Sequence, residues 1–198
     1  MPAELVPQVK VLAQAFASAD QVLADVSPAQ LDEPTPCAAW RVRDLIDHLI
    51  GAAGFFADLA EFGSSPAGRE WPSGGDGDFT ASFGQQASRT VQAFSAPGAM
   101  ERIMALPTGP TPGSGVIEVA TGEMFVHGWD LARATGQQLA DHGVAEALLA
   151  SGWPARCAQV RAGEAPPFEP EITAVATVSP LDRLLAFLGR DPHWPGER

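Results

Sequence analysis

The chain is 198 residues long, sets 12 Lys+Arg against 24 Asp+Glu, and is 45% hydrophobic with 18% charged residues. That length suits one domain with a single sizeable core, and the apolar content is too high for a disordered chain. A formal net charge of −12 leaves little to neutralise a phosphate backbone, so nucleic acid is not an expected partner. The two cysteines, Cys37 and Cys157, make no disulfide framework and match no zinc-ribbon spacing. Met1-Pro2-Ala3-Glu4 shows no basic region leading into an apolar stretch, and no run approaches the roughly 18 apolar residues of a membrane span. The expectation is a soluble, cytoplasmic protein with no membrane partner.

In chain order, residues 4–26 place Val9, Leu12, Phe16, Ala19 and Leu23 three and four apart, the spacing of an amphipathic helix. Ser27-Pro28 ends it, and the proline-rich 27–37 stretch cannot continue it. A second helix is expected from about 38 to 62, burying Leu45, Leu49, Ala52, Phe56 and Leu59. Residues 63–78, rich in Gly, Ser, Pro and Asp, form a loop before a third helix at 79–96 that offers Phe79, Phe83, Val91 and Phe94. Strand-like Ile103-Met104-Ala105-Leu106 sits among prolines and glycines. A fourth helix, 116–135, closes at Gly136, and a fifth, 142–162, is bent or broken at Pro154. A β-branched stretch, Ile172 to Val178, precedes a short helix from Leu181 to Leu188, with Ser179 as cap and Pro180 as first residue. The expected fold is all-α: a four-helix bundle over about 4–136 and a C-terminal extension over about 137–198, in one domain.

Functional information lies in polar residues on apolar faces. At 100° per residue, Val116, Val119, Ala120, Glu123, His127, Leu131 and Ala134 share one arc of the fourth helix. Glu123 and His127 project side by side from it, with Asp130 one turn further on. On the second helix His48 shares an arc with Leu45, Ala52, Phe55, Phe56 and Leu59, and Asp44 precedes it by one turn. An unpaired carboxylate on such a face costs several kcal/mol. Two faces that each carry a polar centre can share a metal, because neutral imidazole and carboxylate both ligate Zn²⁺ and similar ions. The spacing equally allows a Glu123–His127 ion pair beside a hydrogen-bonded core His48, with Asp44 and Asp130 at the helix surface.

Residues 35–49, Thr35-Pro36-Cys37-Ala38-Ala39-Trp40-Arg41-Val42-Arg43-Asp44-Leu45-Ile46-Asp47-His48-Leu49, resemble the start of helix two in the DinB-like metal-binding superfamily. The branch is that of the N-terminal domain of mycothiol-dependent maleylpyruvate isomerase. Residues 123–136, from Glu123-Met124-Phe125-Val126-His127 to Thr135-Gly136, resemble its second signature, and the tail Asp182 to Pro192 is similar to endings in that branch. The resemblance implies an up-down-down-up bundle in which 63–78 is the long crossover. It also implies a metal held by His48, Glu123 and His127, with Asp130 and Asp44 orienting an imidazole through its other nitrogen. Zn²⁺ is the first expectation, Ni²⁺ or another divalent ion the alternative, and the implied partners are a small thiol, mycothiol, and a small-molecule substrate.

Two histidines and one glutamate leave coordination positions open, as catalytic sites do. One reading is a thiol-dependent isomerase or S-transferase acting on an electrophile, with Arg41 or Arg133 holding a substrate carboxylate and Trp40 and Trp129 as pocket-wall aromatics. A second is metal-assisted hydrolysis with Asp44 or Asp130 as base. A third is a non-catalytic metal-binding protein, with a homodimer formed through an exposed bundle face. Cys37 reads as a buried structural cysteine or as a thiol activated at a helix N-terminus. His142 and His193 read as solvated turn residues.

Overall fold

The computed structural model describes residues 6–70, 78–163, 168–173 and 179–194. Its long helices are α1 (Pro7–Ala24), α2 (Val42–Phe62), α3 (Phe79–Phe94) and α4 (Gly113–Thr135). Three short ones follow: α5 (Val144–Ala150), α6 (Trp153–Arg161) and α7 (Pro180–Phe187). The spacing read from the sequence is the spacing that is buried, except that Ala52 is only partly covered. Val9, Leu12, Phe16, Ala19 and Leu23 of α1 and Leu45, Leu49, Phe56 and Leu59 of α2 are all within the core.

Hydrogen bonds between helix ends fix the topology. Gln137, just past α4, donates to the Val22 carbonyl near the end of α1, so α1 and α4 run the same way. Gly63, at the end of α2, accepts from Ala105 N–H just before α4 begins, so α2 runs against α4. Arg89, near the end of α3, meets Asp58 and Glu61 near the end of α2, so those two helices are parallel. The bundle is therefore up-down-down-up. Parallel neighbours α2 and α3 require a connection that returns along the bundle, which 63–78 supplies; its residues 71–77 lie outside the described ones.

Several boundaries differ from the sequence expectation. α2 begins at Val42 rather than near 38, because Arg41 is extended and donates its N–H to Asp44 Oδ2 at 2.8 Å, which caps the helix there. The strand-like 103–106 segment is β1 (Ile103–Leu106), paired antiparallel with β2 (Gly109–Pro112) in the register Ile103↔Pro112 and Leu106↔Gly109. α4 follows β2 directly and so starts three residues earlier than expected, while its end at Gly136 (φ 73°) matches the left-handed cap. The expected fifth helix is two, α5 and α6, parted at Ser151-Gly152. Pro154 occupies the first turn of α6, where its missing N–H costs nothing. Of the β-branched stretch, residues 174–178 lie outside the described ones, and Ile172 and Thr173 form no strand.

α4 is buried nearly all round, since α1, α2, the hairpin and the C-terminal extension all pack on it. Gly122 permits the closest of these approaches: a Cβ there would stand 2.4 Å from the Trp153 ring. The extension shares the bundle's core through Val144, Ala145, Leu148, Leu184, Leu185 and Leu188. It is also fastened by guanidinium groups: Arg133 donates to the Trp194 carbonyl, and Arg161 to that of Phe187. Among the described residues, no helix is long and apolar enough to cross a membrane.

Candidate metal centre

α2 brings His48 toward α4, where Glu123 and His127 stand one turn apart. His48 Nε2 lies 2.7 Å from Glu123 Oε1, and His127 Nε2 lies 3.5 Å from the same oxygen. One ligand atom from each of the three residues falls within 4.8 Å of the others. Ligands about 2 Å from a common tetrahedral ion stand roughly 3.3 Å apart. The two separations from Glu123, 2.7 and 3.5 Å, bracket that value, so the donors stand close to coordinating distance from one another. Two imidazoles and one carboxylate are the donor chemistry of Zn²⁺ and related ions. The site is open on one side: the His48 and Glu123 side chains are 29% and 32% exposed, against 12% for His127.

The rings are held from behind. Asp130, fully buried, accepts from His127 Nδ1 at 2.9 Å, which turns Nε2 toward Glu123. That is the carboxylate–histidine arrangement found behind metal-ligating imidazoles. The Trp40 ring centroid lies 4.5 Å from that of His48 and 5.5 Å from that of His127, and the two imidazoles meet edge to face at 4.8 Å. Trp40 therefore walls the site, positioned by the loop ahead of α2.

The electrostatics follow from this packing. Burial works to raise the Glu123 carboxyl, but His127 and then His48 outweigh it and hold it well below the usual carboxylate range. Burial works to lower His127, and Glu123, Asp130 and Cys37 overrule it, so the imidazolium is held well above its ordinary value. Asp130 is pushed up by burial and pulled down further by His127 and Arg190, for a net lowering.

Cys37, His127 and Asp130 also group closely enough to suggest ligands. Arg190 argues against a cation there. Its Nη2 lies 3.1 Å from Asp130 Oδ2 and 3.6 Å from Cys37 Sγ, so a positive charge already occupies that side. Cys37 itself is half-buried and donates to Asp130 at 3.2 Å. Cys157 is buried in α6, and burial pushes its thiol up to about 11.

The structure brings together His48, Glu123, His127, Asp130 and Trp40. It does not bring in Asp44, whose carboxylate caps α2 by accepting from Arg41 N–H. Arg41 is exposed and reaches back to the Asp32 carbonyl. Arg133 is spent on Trp194, and Trp129 is a core ring with the Arg133 guanidinium over it at 5.9 Å. The arginine that sequence reasoning missed is Arg190. Its only signal is its place in the C-terminal stretch that carries part of the resemblance.

A bundle whose facing helices bring histidine, carboxylate and histidine together offers the donor set of a bundle-core metal site. The chain belongs to the family described as the mycothiol maleylpyruvate isomerase N-terminal domain, which matches residues 12–132 and so spans His48, Glu123, His127 and Asp130. It is 37% identical over 170 residues to "Uncharacterized protein MT0763" of Mycobacterium tuberculosis (strain CDC 1551 / Oshkosh), covering 85% of this chain and 90% of that one. The same figures hold for "Uncharacterized protein Rv0738" of Mycobacterium tuberculosis (strain ATCC 25618 / H37Rv). No solved structure matches the chain.

Proposed function

We propose that the chain is a divalent-metal-dependent enzyme that uses a low-molecular-weight thiol of the mycothiol class to isomerise, or transfer sulfur to, a small electrophilic substrate. The observation that carries this reading is the convergence of His48, Glu123 and His127 within 4.8 Å on a partly open surface. A zinc ion held there, or nickel in its place, supplies Lewis acidity that converts a thiol of ordinary pKa near roughly 8.5 to thiolate at neutral pH.

The chain's own residues do the rest. His48, Glu123 and His127 hold the ion, Asp130 fixes the His127 ring, and Trp40 shields one side of the imidazoles from water. Three protein ligands would leave the ion room for a thiol, which the exposed side of His48 and Glu123 would admit from solvent. The hydrolytic alternative needs a carboxylate base, and both candidates are committed elsewhere: Asp44 to the cap of α2, Asp130 to His127 and Arg190. A thiol-dependent activity of this kind also fits a reducing cytoplasm.

The test begins with metal analysis of protein purified without chelator or polyhistidine tag, where one equivalent of metal is expected. Metal-loaded protein is then incubated with mycothiol and an activated aryl halide or a cis-enedioate. Turnover is expected to need both thiol and metal and to vanish in His48→Ala. Turnover that survives chelator overturns the reading, and activity on esters or amides without thiol replaces it with hydrolysis.

A further inference from the structure

We infer that the C-terminal extension is a working part of this centre, and that Arg190 is a positioning residue that holds the Asp130 carboxylate in place behind His127. The inference rests on the metal reading above but concerns a residue 60 positions beyond Asp130. Asp130 has no exposed surface, and a carboxylate so placed is costly without compensation. Once His127 ligates through Nε2, its ring is neutral and offers Asp130 a single Nδ1–H. Cys37 adds only a thiol. Neither cancels a full negative charge.

Arg190 does. Its Nη2 donates to Oδ2 at 3.1 Å and its Nε lies 3.4 Å from Oδ1, so the guanidinium grips both carboxylate oxygens. Among the described residues it is the only Lys or Arg in an ion pair with Asp130. Arg190 is in turn fixed by the fold. Leu184 and Leu185 anchor α7 in the core, Gly189 turns the chain at φ 76°, and Arg190 N–H donates to the Leu185 carbonyl at 2.9 Å. Docking of α7 therefore sets the orientation of a ring on α4.

A cation merely near the site would repel a metal, so deleting it would tighten binding. A positioning residue predicts the opposite sign. The experiment measures Co²⁺ affinity of the full chain by competition with a chelating dye, together with the visible spectrum of the bound ion. Arg190→Met should weaken binding by about 10–100-fold, the usual cost of losing an outer partner of a ligating histidine, and should shift the Co²⁺ bands. Arg190→Lys, which restores the charge, should recover most of the loss. Asp130→Asn should weaken binding similarly, and the double variant should be little worse than Asp130→Asn alone, because both act through one contact.

Wild-type binding of one equivalent with Arg190→Met unchanged or tighter overturns this inference and leaves the metal reading standing. A Lys variant as weak as the Met variant, or additive losses in the double variant, overturns it too. If the wild type binds no Co²⁺, both fall. Should Arg190→Met not fold, the Lys variant and Asp130→Asn decide in the same terms.

Discussion

Two charged clusters sit at opposite ends of α2, and they differ in how their charges balance. Near its end, fully buried Asp58 accepts from Arg89 at 2.6 Å and from Ser65 at 3.0 Å, and Arg89 also holds Glu61 at 2.6 Å. Arg69 approaches Asp58 at 3.5 Å, so two guanidinium groups face two carboxylates. Near its start, Arg190 offsets Asp130, while the ion-pair partners of Glu123 among the described residues are His48 and His127. With neutral imidazoles that cluster is one positive charge short, and its donors point at a common place. The first is a clamp between α2 and α3; the second carries the donor set that the proposed cation requires. Charge balance, rather than burial, separates a structural ion pair from a ligand set.

The sharpest way to break that contrast is to remove a ligand. His48→Ala, Glu123→Gln and His127→Ala should each lower Zn²⁺ affinity by more than about 100-fold, beyond the cost of losing an outer partner, as read by metal analysis and dye competition. Stoichiometric metal in all three would place the ion elsewhere. The converse variant is Arg89→Met. It removes the closest partner of buried Asp58, leaving Arg69 at 3.5 Å and Ser65 at 3.0 Å, and should destabilise the fold by about 1–3 kcal/mol in denaturant unfolding, while metal affinity stays as in wild type. A loss of metal with that variant would merge the two clusters into one system.

Gly122→Ala drives a methyl into the Trp153 ring beside Glu123 and should cost about 1–3 kcal/mol, with metal affinity falling alongside. Unchanged stability would show that the α4–α6 contact gives way freely. The smallest effect is on the pH dependence of stability in the presence of chelator. Raised His127 stabilises the fold fully below about pH 6.5, and that contribution is lost as pH rises through its folded value. Lowered Glu123 and Asp130 stabilise it fully above about pH 4.5, and theirs is lost as pH falls through their folded values. Chelated protein should melt highest between those limits. Zn²⁺, which needs the ring neutral, should extend the stable range to more alkaline pH. A Tm profile that metal leaves unchanged would count against the site.

Much of this was legible in the residues. The i, i+4 spacing of Glu123 and His127 and the helical phase of His48 put three donors on apolar faces, and the bundle turned those faces toward one another. Asp44 and Asp130 were not separable by phase, because each stands about one turn from a histidine. The tertiary structure distinguishes them: Asp44 caps α2 by accepting from Arg41 N–H, whereas Asp130 accepts from His127 Nδ1 and pairs with Arg190. Arg41 and Arg133 drew attention by lying near the signatures, yet long side chains go where partners are, and theirs are backbone carbonyls. Arg190 was invisible to periodicity, since its partner is fixed by how α7 docks rather than by spacing along any helix.

The indole of Trp40 lies against both imidazoles, closer to His48 at 4.5 Å than to His127 at 5.5 Å. An open-shell ion such as Cu²⁺ or Co²⁺ seated between those rings would drain its excited state at very short range. Ultraviolet emission from this side chain thus becomes an intrinsic optical gauge of loading, with no label attached and no enzymatic turnover needed.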